Sequence, residues 1–220
     1  MLDYLHRHKL TLLAILITHH HNDHIDGVAK LLQIANVPVY TPRNELFSFP
    51  NRPVGEGDQL EFAELETTLH VLDVPGHTAA HVAYYGGNCL FCGDTLFGCG
   101  CGRILGGSVG QLYHSLQKLA ALPDATRVYP AHEYTLSNIA FARMVDPENN
   151  DLVEREKAAE FQKSRQQPTL PSTISLEKRT NPFLRCDTAS IQLAVAKNDP
   201  TATNSPESIF TALREIKNHY

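Results

Sequence analysis

The sequence predicts an α/β domain followed by a helical domain. Three observations support this prediction. Over residues 10–131, apolar runs of strand length alternate with segments whose apolar residues recur at helical spacing. Stretches rich in proline or glycine separate these elements and read as loops. Beyond about residue 135 only helical periodicity is visible, so we expect one domain over residues 1–134 and an all-helical domain over 135–220.

The composition is typical of a globular protein and excludes several function classes. The chain has 220 residues, 42% of them hydrophobic, and a formal net charge of −5. This acidic balance argues against binding nucleic acid or anionic membranes. The longest apolar run, residues 12–17, is too short to span a bilayer, and no signal peptide is visible. The five cysteines are an odd number in a chain large enough to fold without disulfides, so we expect a cytoplasmic protein. We also expect a monomer.

The first elements indicate a crossover connection within one sheet. Residues 1–9 read as the end of a helix. Residues 10–17 are almost entirely apolar, which predicts a strand buried on both faces. A helix is expected over 25–36 and a short strand over 37–41. A strand, a helix and a strand in this order are typical of layered α/β proteins.

Loops and further strands complete the first domain. Prolines and glycines predict a long loop over residues 42–58. Seven glycines predict a second loop over residues 93–110, and loops on a rigid scaffold often contribute to the functional site. The other expected elements are strands over 67–74, 81–86, 88–92 and 127–131 and a helix over 111–122.

The second domain is expected to contain helices and no strand. The predicted helices cover 136–145, 150–167, 187–197 and 206–219. The last of them has a clear start at Ser205-Pro206-Glu207, where a capping hydroxyl precedes a proline at the first helical position and an acid in the first turn.

A histidine cluster follows the first buried strand, in the sequence Thr18-His-His-His-Asn-Asp-His24. Side chains two residues apart at a strand end point the same way, so His19 and His21 are expected to face one ion. Asp23 and His24, where the chain turns into the helix, can serve a second ion. Imidazole and carboxylate groups are suitable ligands for zinc, iron or manganese.

Three further strand ends each carry one side chain of ligand type. They are His77, Asp94 and His132. Open α/β sheets place their sites at the carboxyl ends of the strands, so these side chains are expected near the cluster. Seven ligands are too many for one ion, and they suit two metals that share a bridging carboxylate.

The motifs T-H-x-H-x-D-H, G-H-T and G-D with a late histidine resemble those of the metallo-β-lactamase superfamily. That resemblance implies an αβ/βα sandwich fold. Longer segments are similar to the hydroxyacylglutathione hydrolase (glyoxalase II) family within it. These segments are Gly93-Asp-Thr-Leu-Phe97 with Gly100-Cys-Gly-Arg103, His132-Glu-Tyr-Thr135 with Asn138 and Phe141-Ala-Arg143, Asn181-Pro-Phe-Leu-Arg185, and Arg214-x-x-Lys217.

The resemblance implies a set of site residues and a reaction. One metal is expected on His19, His21 and His77, the other on Asp23, His24 and His132, with Asp94 as the bridge that also orients a hydroxide. Zinc is the favoured metal, with iron or manganese as alternatives. The implied glutathione-binding residues are Arg103, Tyr134, Arg214 and Lys217, and guanidinium and ammonium groups suit the two carboxylates of glutathione. The implied reaction is hydrolysis of S-2-hydroxyacylglutathione, with S-D-lactoylglutathione giving glutathione and D-lactate, the second step of methylglyoxal detoxification.

Two alternatives remain open at this point. A persulfide dioxygenase of the same superfamily shares the first motif and a similar Gly-Cys-Gly-Arg loop, but it uses one iron. A truncated homologue would bind metal without catalysis, because the family has an N-terminal β-hairpin region and Met1 lies only nine residues before the first predicted strand. His20 is expected to be structural. The histidines outside these motifs, His81 among them, are expected to be surface or core polar residues.

Overall fold

Two β-sheets face each other in the computed structural model, which describes residues 1–199, 202–203 and 205–220. The strands are β1 (Ile15–Leu16), β2 (Val39–Pro42), β3 (Arg52–Val54), β4 (Gln59–Phe62), β5 (Thr67–Asp73), β6 (Val82–Gly86), β7 (Cys89–Gly93), β8 (Leu96–Phe97), β9 (Gly100–Cys101), β10 (Arg127–Pro130) and β11 (Ser172–Thr173). The helices are α1 (Leu2–Arg7), α2 (Asn22–Ile25), α3 (Val28–Leu32), α4 (Val109–Ala120), α5 (Thr135–Val145), α6 (Asn150–Ser164), α7 (Ile174–Thr180), α8 (Ala189–Asn198) and α9 (Pro206–Asn218).

The two sheets differ in strand direction. The smaller one has the order β1-β2-β3 and is parallel throughout. The larger one has the order β11-β10-β7-β6-β5-β4, with β10 parallel to β7 and every other neighbouring pair antiparallel. A separate hairpin, β8–β9, follows β7 directly. Because β5, β7 and β10 run in the same direction, their carboxyl ends lie at the same edge of the larger sheet.

Helices cover the outer faces of both sheets, which gives the expected αβ/βα sandwich. Val28 and Leu31 of α3 pack on the smaller sheet. The space between the sheets is filled by side chains such as Val71 and Tyr84. The other face of the larger sheet packs on α4 in a core that continues into α7, α8 and α9. The core therefore runs across residue 134, and the expected domain boundary at that position stays a prediction.

The end of β1 is fixed against the larger sheet, next to the histidine cluster. The buried hydroxyl of Tyr84 donates to the carbonyl of Ile17 at 2.8 Å. The backbone N–H of Val82 donates to the carbonyl of Thr18 at 2.9 Å. These bonds join the two sheets at the residues that lead into the cluster.

The start of the chain departs from the sequence prediction. Only Ile15 and Leu16 of the predicted strand over 10–17 pair with β2, and Leu10 is 51% exposed. The expectation of a strand buried on both faces is wrong for residues 10–14, because β1 is an edge strand that pairs over two residues only. Of the helix predicted over 25–36, only α3 (Val28–Leu32) forms, and the short helix α2 (Asn22–Ile25) precedes it.

Short strands were missed where the sequence predicts loops or helices. β3 lies within the proline-containing loop, and β8 and β9 lie within the glycine-rich loop. The expectation of no strand in the second domain is wrong at β11, which pairs antiparallel with β10. Strands of two or three residues are too short to show an alternation of apolar and polar residues in the sequence. Such strands are recognised only from their hydrogen-bonded pairing in the structure.

Helix starts follow the capping chemistry. The predicted start of α9 is confirmed, because the Ser205 side chain accepts from the N–H of Ser208 at 3.3 Å and Pro206 occupies the first turn. Ser108 and Gln111 form a reciprocal capping box at the start of α4, slightly before the predicted start. None of the helices in the described part of the chain is long and apolar enough to cross a membrane.

Candidate metal centre and adjoining cleft

Three imidazoles converge beyond the ends of β1 and β5. His19 Nε2 lies 3.0 Å and His77 Nε2 lies 3.1 Å from His21 Nδ1, and we call these residues group A. Thr18 Oγ1 lies 3.1 Å from the other nitrogen of His19. His77 Nδ1 donates to the carbonyl of Arg103 at 2.8 Å, which leaves its Nε2 free to face the group. The rings of His19 and His77 are thus held in fixed orientations.

A second group forms where the chain enters α2 and leaves β10. Asp23 Oδ2 lies 3.3 Å from His132 Nε2 and 3.7 Å from His24 Nε2. We call these three residues group B. Their ligand atoms, like those of group A, lie within 4.8 Å of one another.

Asp94 lies between the two groups. Its Oδ1 is 3.4 Å from His24 Nε2, and its Oδ2 is 3.6 Å from His77 Nε2 and 3.5 Å from His132 Nε2. Burial alone raises the pKa of this carboxyl, but the close approach of His24 and the other nearby imidazoles outweighs it, so the pKa lies below its ordinary value. The carboxylate therefore stays charged and reaches both groups at once.

The residues fit divalent metal ions. Among the described residues, few buried side-chain atoms have no hydrogen-bond partner, and two of them, His24 Nε2 and Asp94 Oδ1, face each other in this site. Burial and then the neighbouring histidines lower the pKa of His19, and burial also lowers the pKa of His77. These imidazoles are therefore neutral at physiological pH, which is the form that binds metal. The nitrogen and carboxylate donors suit zinc, iron or manganese.

A cleft of about 670 Å³ opens beside the two groups. All four residues expected to bind substrate line it, together with one side chain of group A and the carboxylate that lies between the two groups. These lining residues are Arg103, Tyr134, Arg214, Lys217, His77 and Asp94. The structure thus brings the cationic residues of distant segments to the mouth of the metal centre.

The cations of the cleft differ in their surroundings. Arg214 is only 4% exposed, donates from Nη1 to the carbonyl of Cys101 at 3.3 Å, and lies over the ring of Phe183 at 5.1 Å. Lys217 Nζ lies 4.5 Å from the centre of the Phe141 ring. Burial, followed by repulsion from Arg214, lowers the pKa of Lys217 to about 8. Lys217 thus carries a charge that is lost in mildly alkaline solution.

Aromatic rings line the boundary between the metal groups and the cleft. The ring of Tyr134 stacks on that of His132, with centroids 5.1 Å apart, and lies 5.2 Å from the ring of Phe97. Tyr134 is 48% exposed, so one face of its ring is free. His20 lies outside both groups, where its exposed ring pairs with Glu45 at 2.6 Å.

The sequence reasoning missed two kinds of contributing residue. His81, expected to be a surface or core polar residue, is a core polar residue, but the stacking of its ring on that of His19 was not predicted. Burial lowers the pKa of His81 to about 3. The available signal was its spacing of four residues from His77, just before a predicted strand. No role was predicted for the polar side chains that hold the β8–β9 hairpin, Asn138, Glu177 and Asn181, since their partners are distant in sequence.

Comparisons with known proteins agree with this geometry. Residues 2–132 match the family model of the metallo-beta-lactamase superfamily, and residues 133–220 match that of the hydroxyacylglutathione hydrolase C-terminus. The hydroxyacylglutathione hydrolase of Nitrosomonas eutropha is 50% identical over all of this chain and 86% of its own length, and that of Vibrio cholerae is 46% identical with the same coverage. The crystal structure of ETHE1 from Myxococcus xanthus aligns with a TM-score of 0.63 at 26% identity, over 98% of this chain and 81% of that one. A di-iron-bound form of the protein TTHA1623 aligns with a TM-score of 0.59 at 30% identity, over 83% of each chain.

Proposed function

Because this chain belongs to the hydroxyacylglutathione hydrolase family of the metallo-β-lactamase superfamily, we propose that it hydrolyses the thioester of S-2-hydroxyacylglutathiones. S-D-lactoylglutathione is the proposed substrate, and glutathione and D-lactate are the products, as in methylglyoxal detoxification. The observation that carries the proposal is the position of Asp94, whose carboxylate lies between two ligand groups and lines a cleft with cationic residues.

The metal assignment is part of the proposal. His19, His21 and His77 would hold one divalent ion, Asp23, His24 and His132 the other, and Asp94 would bridge them. The short distances within each group and the unpartnered Asp94 Oδ1 support this assignment. The related protein with a di-iron-bound form supports a count of two. Zinc is the proposed metal, with iron or manganese as alternatives.

The chain's residues would activate water and hold the substrate carbonyl nearby. Divalent ions, when bound here, would supply Lewis acidity that favours ionised water at neutral pH and stabilises negative charge on the attacked oxygen. Asp94 would accept a hydrogen bond from the attacking water and orient it toward the thioester carbon. A thiolate leaves without strong protonation, so the mechanism needs no general acid from the cleft.

The cations of the cleft would recognise the glutathione portion. Glutathione carries two carboxylates, and Arg103, Arg214 and Lys217 line the same cleft. A guanidinium binds a carboxylate through a planar pair of N–H groups, whereas an ammonium acts as a point charge. The free face of Tyr134 would pack against the substrate between these cations and the metal groups.

A paired assay tests the proposal. Purified protein with a measured metal content is assayed on S-D-lactoylglutathione and on a lactoyl thioester of a small thiol without carboxylates. We expect metal-dependent hydrolysis of both, with a much lower kcat/KM for the small thioester. Two equivalents of zinc without hydrolysis above background would favour a metal-binding but inactive homologue. One equivalent of iron, together with oxygen uptake on glutathione persulfide, would favour the persulfide dioxygenase. The 50% identity to a hydroxyacylglutathione hydrolase favours the hydrolase instead.

We also propose that the protein acts as a monomer in the cytoplasm. All five cysteines are free, and a reducing compartment suits free thiols. Light scattering of the purified protein and fractionation of the source cells test the two statements.

A further inference from the structure

His81 is a buried imidazole that contacts group A and the backbone of Asp94 without belonging to either metal group. The backbone N–H of Asp94 donates to its Nε2 at 3.2 Å, and Thr95 Oγ1 lies 3.4 Å from its Nδ1. Its relative exposure is 0%. The lone pair of Nε2 is therefore used by Asp94, and the ring has no nitrogen that faces the candidate ligands.

The ring of His81 fills the space between the ends of two strands. It stacks on the ring of His19, which follows β1, with centroids 4.6 Å apart and planes at 21°. Its Cε1 atom lies next to Gly93, the last residue of β7. Gly93 has a φ of +49°, and a Cβ added there would lie only 2.8 Å from His81 Cε1 and 2.5 Å from Thr18 Oγ1. The glycine thus leaves the room that the imidazole occupies.

The position of the Asp94 backbone decides the geometry of both metal groups. Its two carboxylate oxygens face His24 on one side and His77 and His132 on the other. A small rotation of the backbone at Asp94 would therefore change its distances to both groups together. Outer residues that orient ligands in this way typically contribute about 10–100-fold in metal affinity or activity.

We propose that His81 is a positioning residue for the metal centre: it accepts the Asp94 N–H and stacks on His19, and so sets the separation of groups A and B. The inference rests on the metal-binding part of the proposed function, and it does not depend on the identity of the thioester. His81 is not a catalytic residue, because it faces neither the cleft nor the ligand atoms.

Three substitutions separate positioning from simple space-filling. His81→Gln places an amide oxygen near the site of Nε2 and can still accept the Asp94 N–H. His81→Asn places its amide group near the site of Nδ1 and cannot reach that N–H. His81→Leu fills the space without an acceptor. His70→Leu, at an exposed position on β5, is the matched control.

The primary measurement is metal binding. Zinc affinity is measured by competition with a chromophoric chelator. The visible spectrum is recorded on protein loaded with Co²⁺ as its only metal. For His81→Leu and His81→Asn we expect zinc binding weaker by about 10–100-fold and a changed Co²⁺ spectrum. His81→Gln is expected to recover most of the affinity and the wild-type spectrum. With S-D-lactoylglutathione as substrate, kcat should fall in His81→Leu and His81→Asn. KM should stay unchanged, because the cationic residues of the cleft are untouched.

The outcomes distinguish this inference from the proposed function. Equal zinc affinity in all three variants and the wild type would overturn the positioning role, and so would equal losses in His81→Gln and His81→Asn. A wild-type protein that binds zinc but cleaves no thioester would overturn the proposed function alone. If His81→Leu does not fold, as judged by far-ultraviolet circular dichroism, the comparison of His81→Gln with His81→Asn still decides the question.

Discussion

Glu177→Gln is expected to destabilise the protein strongly, because Glu177 is a fully buried carboxylate with four donors. Arg155 and Ser172 donate to Oε1, and the N–H of Cys99 and the amide of Asn181 donate to Oε2 at 2.9 Å and 3.1 Å. The relative exposure of the Glu177 side chain is 0%, and that of Arg155 is 5%. Glutamine keeps the size of the side chain but removes the charge that compensates the guanidinium.

The expected magnitude follows from this burial. Removing one partner of a buried, hydrogen-bonded ion pair costs about 3–5 kcal/mol, because the other charge stays buried without compensation. In a chain of this size, each kcal/mol lowers the Tm by about 2–4 °C, so Glu177→Gln should lower it by roughly 6–20 °C.

The chain offers a matched control in the residue next to Arg155. Glu154 pairs with Lys157, but these side chains are 72% and 66% exposed. Glu154→Gln makes the same chemical change and should cost only about 0–1 kcal/mol. Both variants are unfolded with urea at a fixed zinc concentration, because bound metal adds to the apparent stability. A loss below about 1 kcal/mol in Glu177→Gln, or one equal to that of Glu154→Gln, would refute the reasoning.

Three further results are expected. Because burial lowers the pKa of Lys217 to about 8, its positive charge is lost as the pH rises through 8, and KM for S-D-lactoylglutathione should increase there. Lys217→Met should have a raised KM at pH 7 and should lack this increase near pH 8. Lys157→Met should behave as wild type. Treatment with a chelator should abolish hydrolysis and added zinc should restore it, and activity that persists without metal would contradict the metal-dependent mechanism. Asp94→Asn should lower zinc content and kcat together, while Asp151→Asn in α6 should change neither, with both measured by elemental analysis and steady-state kinetics.

The position of the metal centre could be predicted because it depends on strand ends. His77, Asp94 and His132 follow β5, β7 and β10 by a few residues, and these three strands run in the same direction in one sheet. The predicted ends of these strands, at residues 74, 92 and 131, each lie within one residue of the observed end. The physical rule that parallel strands present their carboxyl ends at one edge then places the side chains together.

The support around the centre could not be predicted, because it depends on partners far apart in sequence. The β8–β9 hairpin lies in a stretch whose glycines indicate only a loop. The side-chain amide of Asn138 donates to the carbonyl of Gly98, and that of Asn181 donates to the carbonyl of Gly100, and these bonds hold the hairpin. The donor and acceptor in these pairs are 40 and 81 residues apart. A sequence pattern shows local periodicity, but it does not show which residues far apart in the chain form hydrogen bonds.

The β8–β9 hairpin connects the candidate metal centre with the cleft. It follows Asp94 directly in the chain, and its residues Phe97 and Cys101 line the cleft. Its backbone is held by side chains from the helices that follow residue 134, and Arg214 of the cleft donates to the Cys101 carbonyl. The helical segment therefore does more than contribute cations to the cleft, since it also fixes the chain that follows Asp94. A disturbance of Glu177, which anchors this hairpin through Cys99, should therefore alter the metal centre as well as lower stability. A substitution in the exposed pair Glu154–Lys157 of α6 should leave both the metal centre and the stability unchanged.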